Sequence, residues 1–187
     1  MMDQEAYHAL CCAMAESTRG HNRVRNTFHA GCSISDHGAA MEVEGLIPSR
    51  GTLRPADVLT NAVHETSTVA VDIGIMAPHA LDAGLDCTET MKQKKMRTYE
   101  QHMPELQQQS IVYCPATFSS YGRRHCDTSK MLLLAAQRAA WYRGLPGCRS
   151  MLKRWHKALS AEIWRHAAKM VAICLLGQSK EADYILG

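Results

Sequence analysis

Two aspartates define the chemistry this sequence can offer. Asp57 closes the run Arg54-Pro55-Ala56-Asp57, and Asp72 lies in Val71-Asp72-Ile73, with fourteen residues between the two acids. If the flanking stretches pair as a hairpin, both carboxylates reach the same end of one sheet. Two neighbouring hard oxygen donors suit Mg²⁺ or Mn²⁺. An ion held there polarises a phosphodiester and activates water, and a lysine nearby stabilises the negative charge that develops. The competing reading is structural: a strand aspartate can face solvent, and Arg54 can pair with either acid.

The surrounding pattern must place those acids. Val24, Phe28 and Cys32 recur at spacing four and predict a helix over 19–32, after a shorter one over 3–16. Met41–Leu46 alternates apolar and polar, which predicts a strand. Arg54–Thr60 reads as a second strand and Thr68–Met76, rich in β-branched residues, as the strongest. A helix over Leu81–Leu106 follows, then a short strand at Ser110–Tyr113 that continues through Ser120 as loop or strand. His125–Tyr142 and Arg149–Leu176 close the chain as helices. Short neighbouring strands pair antiparallel, and a strand reached across a helix pairs parallel. The expected fold is α/β with a small mixed sheet, followed by C-terminal helices.

Composition narrows the partners. The chain has 187 residues and a net charge of only +3. Residues 1–122 carry nine Lys+Arg against fourteen Asp+Glu, whereas residues 123–170 carry eleven against two. A basic C-terminal third suggests a polyanion partner, against the alternative of a solvated helix face. No run of eighteen apolar residues occurs, so no membrane partner is expected. The eight cysteines are scattered without a C-x-x-C pair, and no disulfide framework is expected. His125, Cys126 and Asp127 are adjacent, and neighbours on a helix do not share a face, so they are not read as a site.

Gly20-His21-Asn22-Arg23-Val24-Arg25, Glu44, Arg54-Pro55-Ala56-Asp57, Val71-Asp72-Ile73 and Lys92…Lys95…Tyr99 form an ordered set. Over about residues 5–122 that set resembles the restriction-like endonuclease domain of early-branching, site-specific non-LTR retrotransposons, within the PD-(D/E)XK nuclease class. The resemblance implies a restriction-endonuclease-like αβββαβ core over 19–122; charge and helical pattern set residues 123–187 apart as a basic C-terminal helical region. Asp57 and Asp72 would hold Mg²⁺ or Mn²⁺, Lys95 or Lys92 would be the catalytic lysine, and Glu44 an accessory acid. His21 and Arg25 would sit on the first helix, close to DNA or to the site. Arg54, Lys94 and Arg97 join them as expected DNA contacts. DNA is the expected partner, with RNA the alternative, and the location would be nuclear for an active element and otherwise intracellular.

His8 and Cys12 resemble the last pair of a zinc knuckle that precedes such domains, so residues 1–18 read as its remnant. A structural zinc site needs four ligands and the first two cysteines are missing, so zinc is not expected. Three departures stand out. Gly74 replaces a small polar residue, no lysine follows Asp72 on its strand, and Gly20 replaces an arginine. They keep open two other readings: a catalytically decayed nucleic-acid-binding remnant, and a helical protein-interaction module.

Overall fold

The computed structural model describes residues 14–176. Helix α1 (Met14–Cys32) leads into strand β1 (Ala40–Met41), then β2 (Val58–Thr60) and β3 (Thr68–Met76). Helix α2 (Cys87–Tyr99) and a short α3 (Met103–Gln108) precede β4 (Ile111–Ser119). Helices α4 (Cys126–Tyr142) and α5 (Arg149–Leu176) follow. The sheet runs β1-β2-β3-β4. Its first two pairings are antiparallel, and β3 pairs parallel to β4 from Thr68↔Ile111 to Met76↔Ser119. This is the mixed α/β sheet that the sequence predicts, with the crossover through α2 and α3 making the parallel pair.

Strand β3 is covered on both faces, which is why its sequence is apolar nearly throughout. Val69, Val71 and Ile73 point into one core with Val24 and Phe28 of α1, Leu132 and Ala136 of α4, and Leu159 and Ile163 of α5. Ala70 points the other way, into a second core with Leu106 of α3 and Tyr113 of β4. Each fully buried Val, Ile or Phe here contributes about 1.5–3 kcal/mol. Asp72 and Gly74 share the second face, beneath α2.

Helices α1 and α5 cross closely because α1 offers glycines at the contact. A Cβ on Gly20 would lie 2.0 Å from His166 Nδ1, and one on Gly31 would lie 2.9 Å from Trp155 Cε2. The arginine expected at position 20 has no room. Gly20 is thus a packing requirement of the basic C-terminal helix.

Several boundaries differ from the sequence reading: helix α1 already runs from Met14 rather than from residue 19, and the helix expected over Leu81–Leu106 is divided after Tyr99. The predicted strand over Met41–Leu46 shrinks to Ala40–Met41, since Glu42 and Gly45 adopt positive φ (50° and 76°) and turn the chain away. The second strand begins at Val58, after Pro55. Helix α2 starts only at Cys87, where Asp86 caps the Thr88 and Glu89 N–H groups. Strand β4 runs unbroken through Pro115, whose missing N–H is tolerated on an outer strand of the sheet. His8 and Cys12, and with them the zinc-knuckle remnant, lie outside the described residues.

Candidate active site

Asp57 enters the sheet just ahead of β2. Its N–H donates to the Val71 carbonyl at 2.9 Å. Its side chain then reaches along β3, where Oδ2 accepts the Ile73 N–H at 2.6 Å. His21, on the first described turns of α1, brings Nε2 to 2.9 Å from Asp57 Oδ1. A helix on one side and a strand on the other therefore fix this carboxylate.

Asp72 is held by two different groups. Lys95 Nζ, from the sheet-facing side of α2, donates to Oδ1 at 2.5 Å. The Tyr113 hydroxyl, from β4, donates to Oδ2 at 2.5 Å. Tyr99 backs this arrangement, with its ring centroid 5.0 Å from that of Tyr113 and its hydroxyl donating to the Arg54 carbonyl at 3.3 Å. Gly74, two residues beyond Asp72 on the same face, leaves the space that Lys95 uses. A Cβ there would lie 2.5 Å from Met91 Cγ and 2.7 Å from Lys95 Cε.

The two acids sit in opposed electrostatic settings. Burial pushes Asp57 up, but His21, the Ile73 N–H and the Lys95 charge outweigh it, so the carboxyl falls below its ordinary range. Burial also pushes Asp72 up, and here it prevails over Lys95 and Tyr113, with the Asp57 charge adding to the rise. Burial beside Asp72 drives the Tyr113 hydroxyl far upward, so it stays a proton donor. A pair of acids with pKa values driven apart is a recurrent feature of acid–base sites.

Each of the four carboxylate oxygens accepts one protein hydrogen bond. An ionised carboxylate offers about four acceptor directions, so each acid retains capacity for a cation. Oxygen donors from two nearby aspartates fit Mg²⁺ or Mn²⁺, which keep several waters of their own.

The other expected residues divide. Lys92 is not at the acids: it points along α2 to Asp127 at 2.7 Å, because it stands three residues from Lys95 and turns toward α4. Glu44, expected as an accessory acid, makes no hydrogen bond with the groups that hold Asp57 and Asp72. The turn after β1 carries it to the exposed side, where it pairs with Arg54. Arg54 also reaches Glu42 at 3.1 Å, and Glu42 in turn pairs with the buried Arg25. Lys94 pairs with Asp82, and Arg97 is exposed near the end of α2. Glu42, Tyr113 and the scaffold role of Tyr99 escape sequence reasoning. The Tyr113 contact depends on the β3–β4 register, which no local pattern reveals.

His125, Cys126 and Asp127 do converge, with donor atoms within 4.8 Å of one another. His125 is the N-cap of α4, with extended backbone (φ −62°, ψ 153°), so its ring folds back over the helix start. The neighbours-diverge rule fails there for that reason. Lys92 and Lys130 already bring positive charge to Asp127, and Glu89 lies 2.6 Å from His125 Nε2. The cluster ties α2 to α4 as an ion-pair network.

No helix among the described residues is long and apolar enough to cross a membrane. The chain matches no family model, no curated protein and no solved structure.

Proposed function

We propose that this protein is a metal-dependent DNA endonuclease related to the restriction-like domain of site-specific non-LTR retrotransposons. The observation that carries the reading is the closeness of Asp57, just ahead of β2, to Asp72 of β3 and Lys95 of α2, each of which feels the charge of the others. In such a domain the lysine need not follow the second acid in sequence, and here α2 supplies it across Gly74. The element order αβββαβ is the one that the resemblance implies.

Asp57 and Asp72 would hold Mg²⁺ or Mn²⁺, which supplies Lewis-acid polarisation of the phosphodiester and activation of a water. The water oxygen bonds to phosphorus, its proton passes to solvent, and the bond from phosphorus to the 3′ oxygen breaks. That oxygen takes up a proton from solvent and leaves as a 3′-hydroxyl, the end that primes reverse transcription in such elements, while the other fragment keeps a 5′-phosphate. Lys95, beside Asp72, would offset charge on the phosphoryl oxygens. His21 orients Asp57, and Tyr113 keeps a proton on the Oδ2 side of Asp72.

One observation favours a second reading, a nucleic-acid-binding remnant without catalysis. Each carboxylate oxygen of both acids already has a partner in His21, Lys95, Tyr113 or a backbone N–H, an arrangement that is stable as a structural network without a cation. Supercoiled plasmid incubated with purified protein and Mg²⁺ or Mn²⁺ separates the two. Nicking that vanishes with chelator and in Asp57→Ala supports the enzyme. Metal-independent behaviour, or no nicking of any DNA, leaves the remnant.

A further inference from the structure

The cations of α2 and α5 are used differently. On α2, Lys92, Lys94 and Lys95 each meet an aspartate. At the start of α5, Arg149, Lys153, Arg154 and Lys157 are exposed. Among the described residues none of these four has an ion pair or a side-chain hydrogen bond, and Glu162, the one acid in the α5 sequence, is taken by Arg165.

Helix geometry puts three of these cations in line with an aromatic ring. Arg149, Lys153 and Lys157 recur at spacing four, and Trp164 follows two turns later. The four positions fall within an arc of about 80° and span about 22 Å of the helix. Trp155, Leu159 and Ile163, on the other side of α5, are buried, whereas Trp164 is 55% exposed. The Trp164 ring lies 6.2 Å from that of Tyr121, which stands in the turn between β4 and α4. Gly122 keeps that turn close, since a Cβ there would lie 3.5 Å from Trp164 Nε1. The indole is therefore supported from one side and open on another.

Like charges four residues apart on a helix repel one another. A polyanion laid along them removes the repulsion and gains by releasing its own counterions. Charge alone would admit any polyanion, but the open ring in line with the cations narrows the choice. The bases of a duplex are stacked on each other, whereas those of a single strand are free to cover a surface ring.

We propose that the outer face of α5, from Arg149 to Trp164, binds single-stranded nucleic acid. Arg149, Lys153 and Lys157 follow the phosphate backbone, and Trp164, supported by Tyr121, stacks on a base. The proposal rests on the nucleic-acid partner of the function proposed above and not on hydrolysis, since these side chains bond to neither Asp57 nor Asp72.

The test is fluorescence anisotropy of the full chain with labelled oligo-dT and oligo-U across a salt series, beside a duplex of equal length. Chelator is present throughout, so that no strand is cut. Oligo-dT or oligo-U should bind more tightly than the duplex. Lys153→Gln should weaken single-strand binding several-fold and reduce the log–log salt slope by about 0.7. Trp164→Leu should weaken it about fivefold or more with the slope unchanged, and Trp164→Phe should recover most of the loss. Asp57→Asn should alter neither affinity nor slope. Tighter binding of the duplex, with Trp164→Leu neutral, would overturn the single-strand assignment. Unchanged binding in both Lys153→Gln and Trp164→Leu, or no single-strand binding by the wild type, would overturn the surface itself. Plasmid nicking by the same preparation is scored separately. Nicking without single-strand binding removes only this proposal, and binding without nicking removes only the hydrolytic reading.

Discussion

Gly74 and Lys95 compete for one volume: a Cβ at position 74 would stand 2.7 Å from Lys95 Cε, along the path by which Lys95 reaches Asp72. The bare glycine therefore reads as a slot for the lysine. Gly74→Thr should displace Lys95 and Met91 and cost about 1–3 kcal/mol through overpacking. It should also uncouple the Lys95–Asp72 pair. Urea unfolding measures the first effect, and the carboxyl carbon shift of Asp72 across pH measures the second, with its pKa expected to climb further. An unperturbed Asp72 titration in the variant would contradict the slot.

The two acids should carry opposite pH signatures. Asp57 is depressed below its ordinary value of about 3.9. Its contribution is therefore present above that value and drains as pH falls through the folded pKa. Asp72 is raised, so its contribution is complete below about pH 3.9 and is lost as pH rises through the folded pKa. The stability advantage of wild type over Asp57→Asn should widen between acid and neutral pH. The advantage over Asp72→Asn should narrow across the same interval. Unfolding midpoints at stepped pH give both differences, and parallel trends would refute the opposed settings.

Much of this arrangement was legible because strand and helix periods are local properties. The β-branched run Thr68–Met76 announced the central strand, and the Asp57/Asp72 spacing announced their approach. Other parts depend on tertiary placement. Met41–Leu46 alternates like a strand, but positive φ at Glu42 and Gly45 turns the chain, and Glu44 goes with it to Arg54. Lys92 and Lys95 cannot be ranked without the rotation of α2 on the sheet. Tyr113 is reached only through the parallel register that sets it beside Ala70. The glycines at 20 and 74 looked like losses from a pattern, and only the opposing His166 and Lys95 side chains account for them.

That rotation of α2 separates the two lysines experimentally. Lys95 contacts Asp72, while Lys92 contacts Asp127 on α4. If the proposed nuclease is active, Lys95→Met should lower the nicking rate about 10²–10³-fold, the range for removing one group that stabilises developing charge. Lys92→Met should leave the rate within a few-fold and act mainly on the α2–α4 tie. Single-turnover nicking at saturating Mg²⁺ makes the comparison. Equal losses in both variants would mean that Lys95 has no special place in the chemistry.

The α1–α5 crossing sets two known tendencies against each other at Gly20. Glycine inside a helix is worse than alanine by about 1 kcal/mol, so propensity alone predicts that Gly20→Ala stabilises. The new Cβ, however, would fall 2.0–2.5 Å from three atoms of the His166 imidazole ring. A ring cannot yield as a flexible chain end can, and overpacking of this kind costs about 1–3 kcal/mol. Net destabilisation is therefore expected, with α5 pushed off α1. Gly51→Ala is the control: its Cβ meets nothing within 4 Å and its φ is −54°. That substitution should be neutral or stabilise by about 0.4–1 kcal/mol. Thermal and urea unfolding of the two variants should thus diverge in sign, and a stabilised Gly20→Ala protein would show that α5 does not pack where the structure places it.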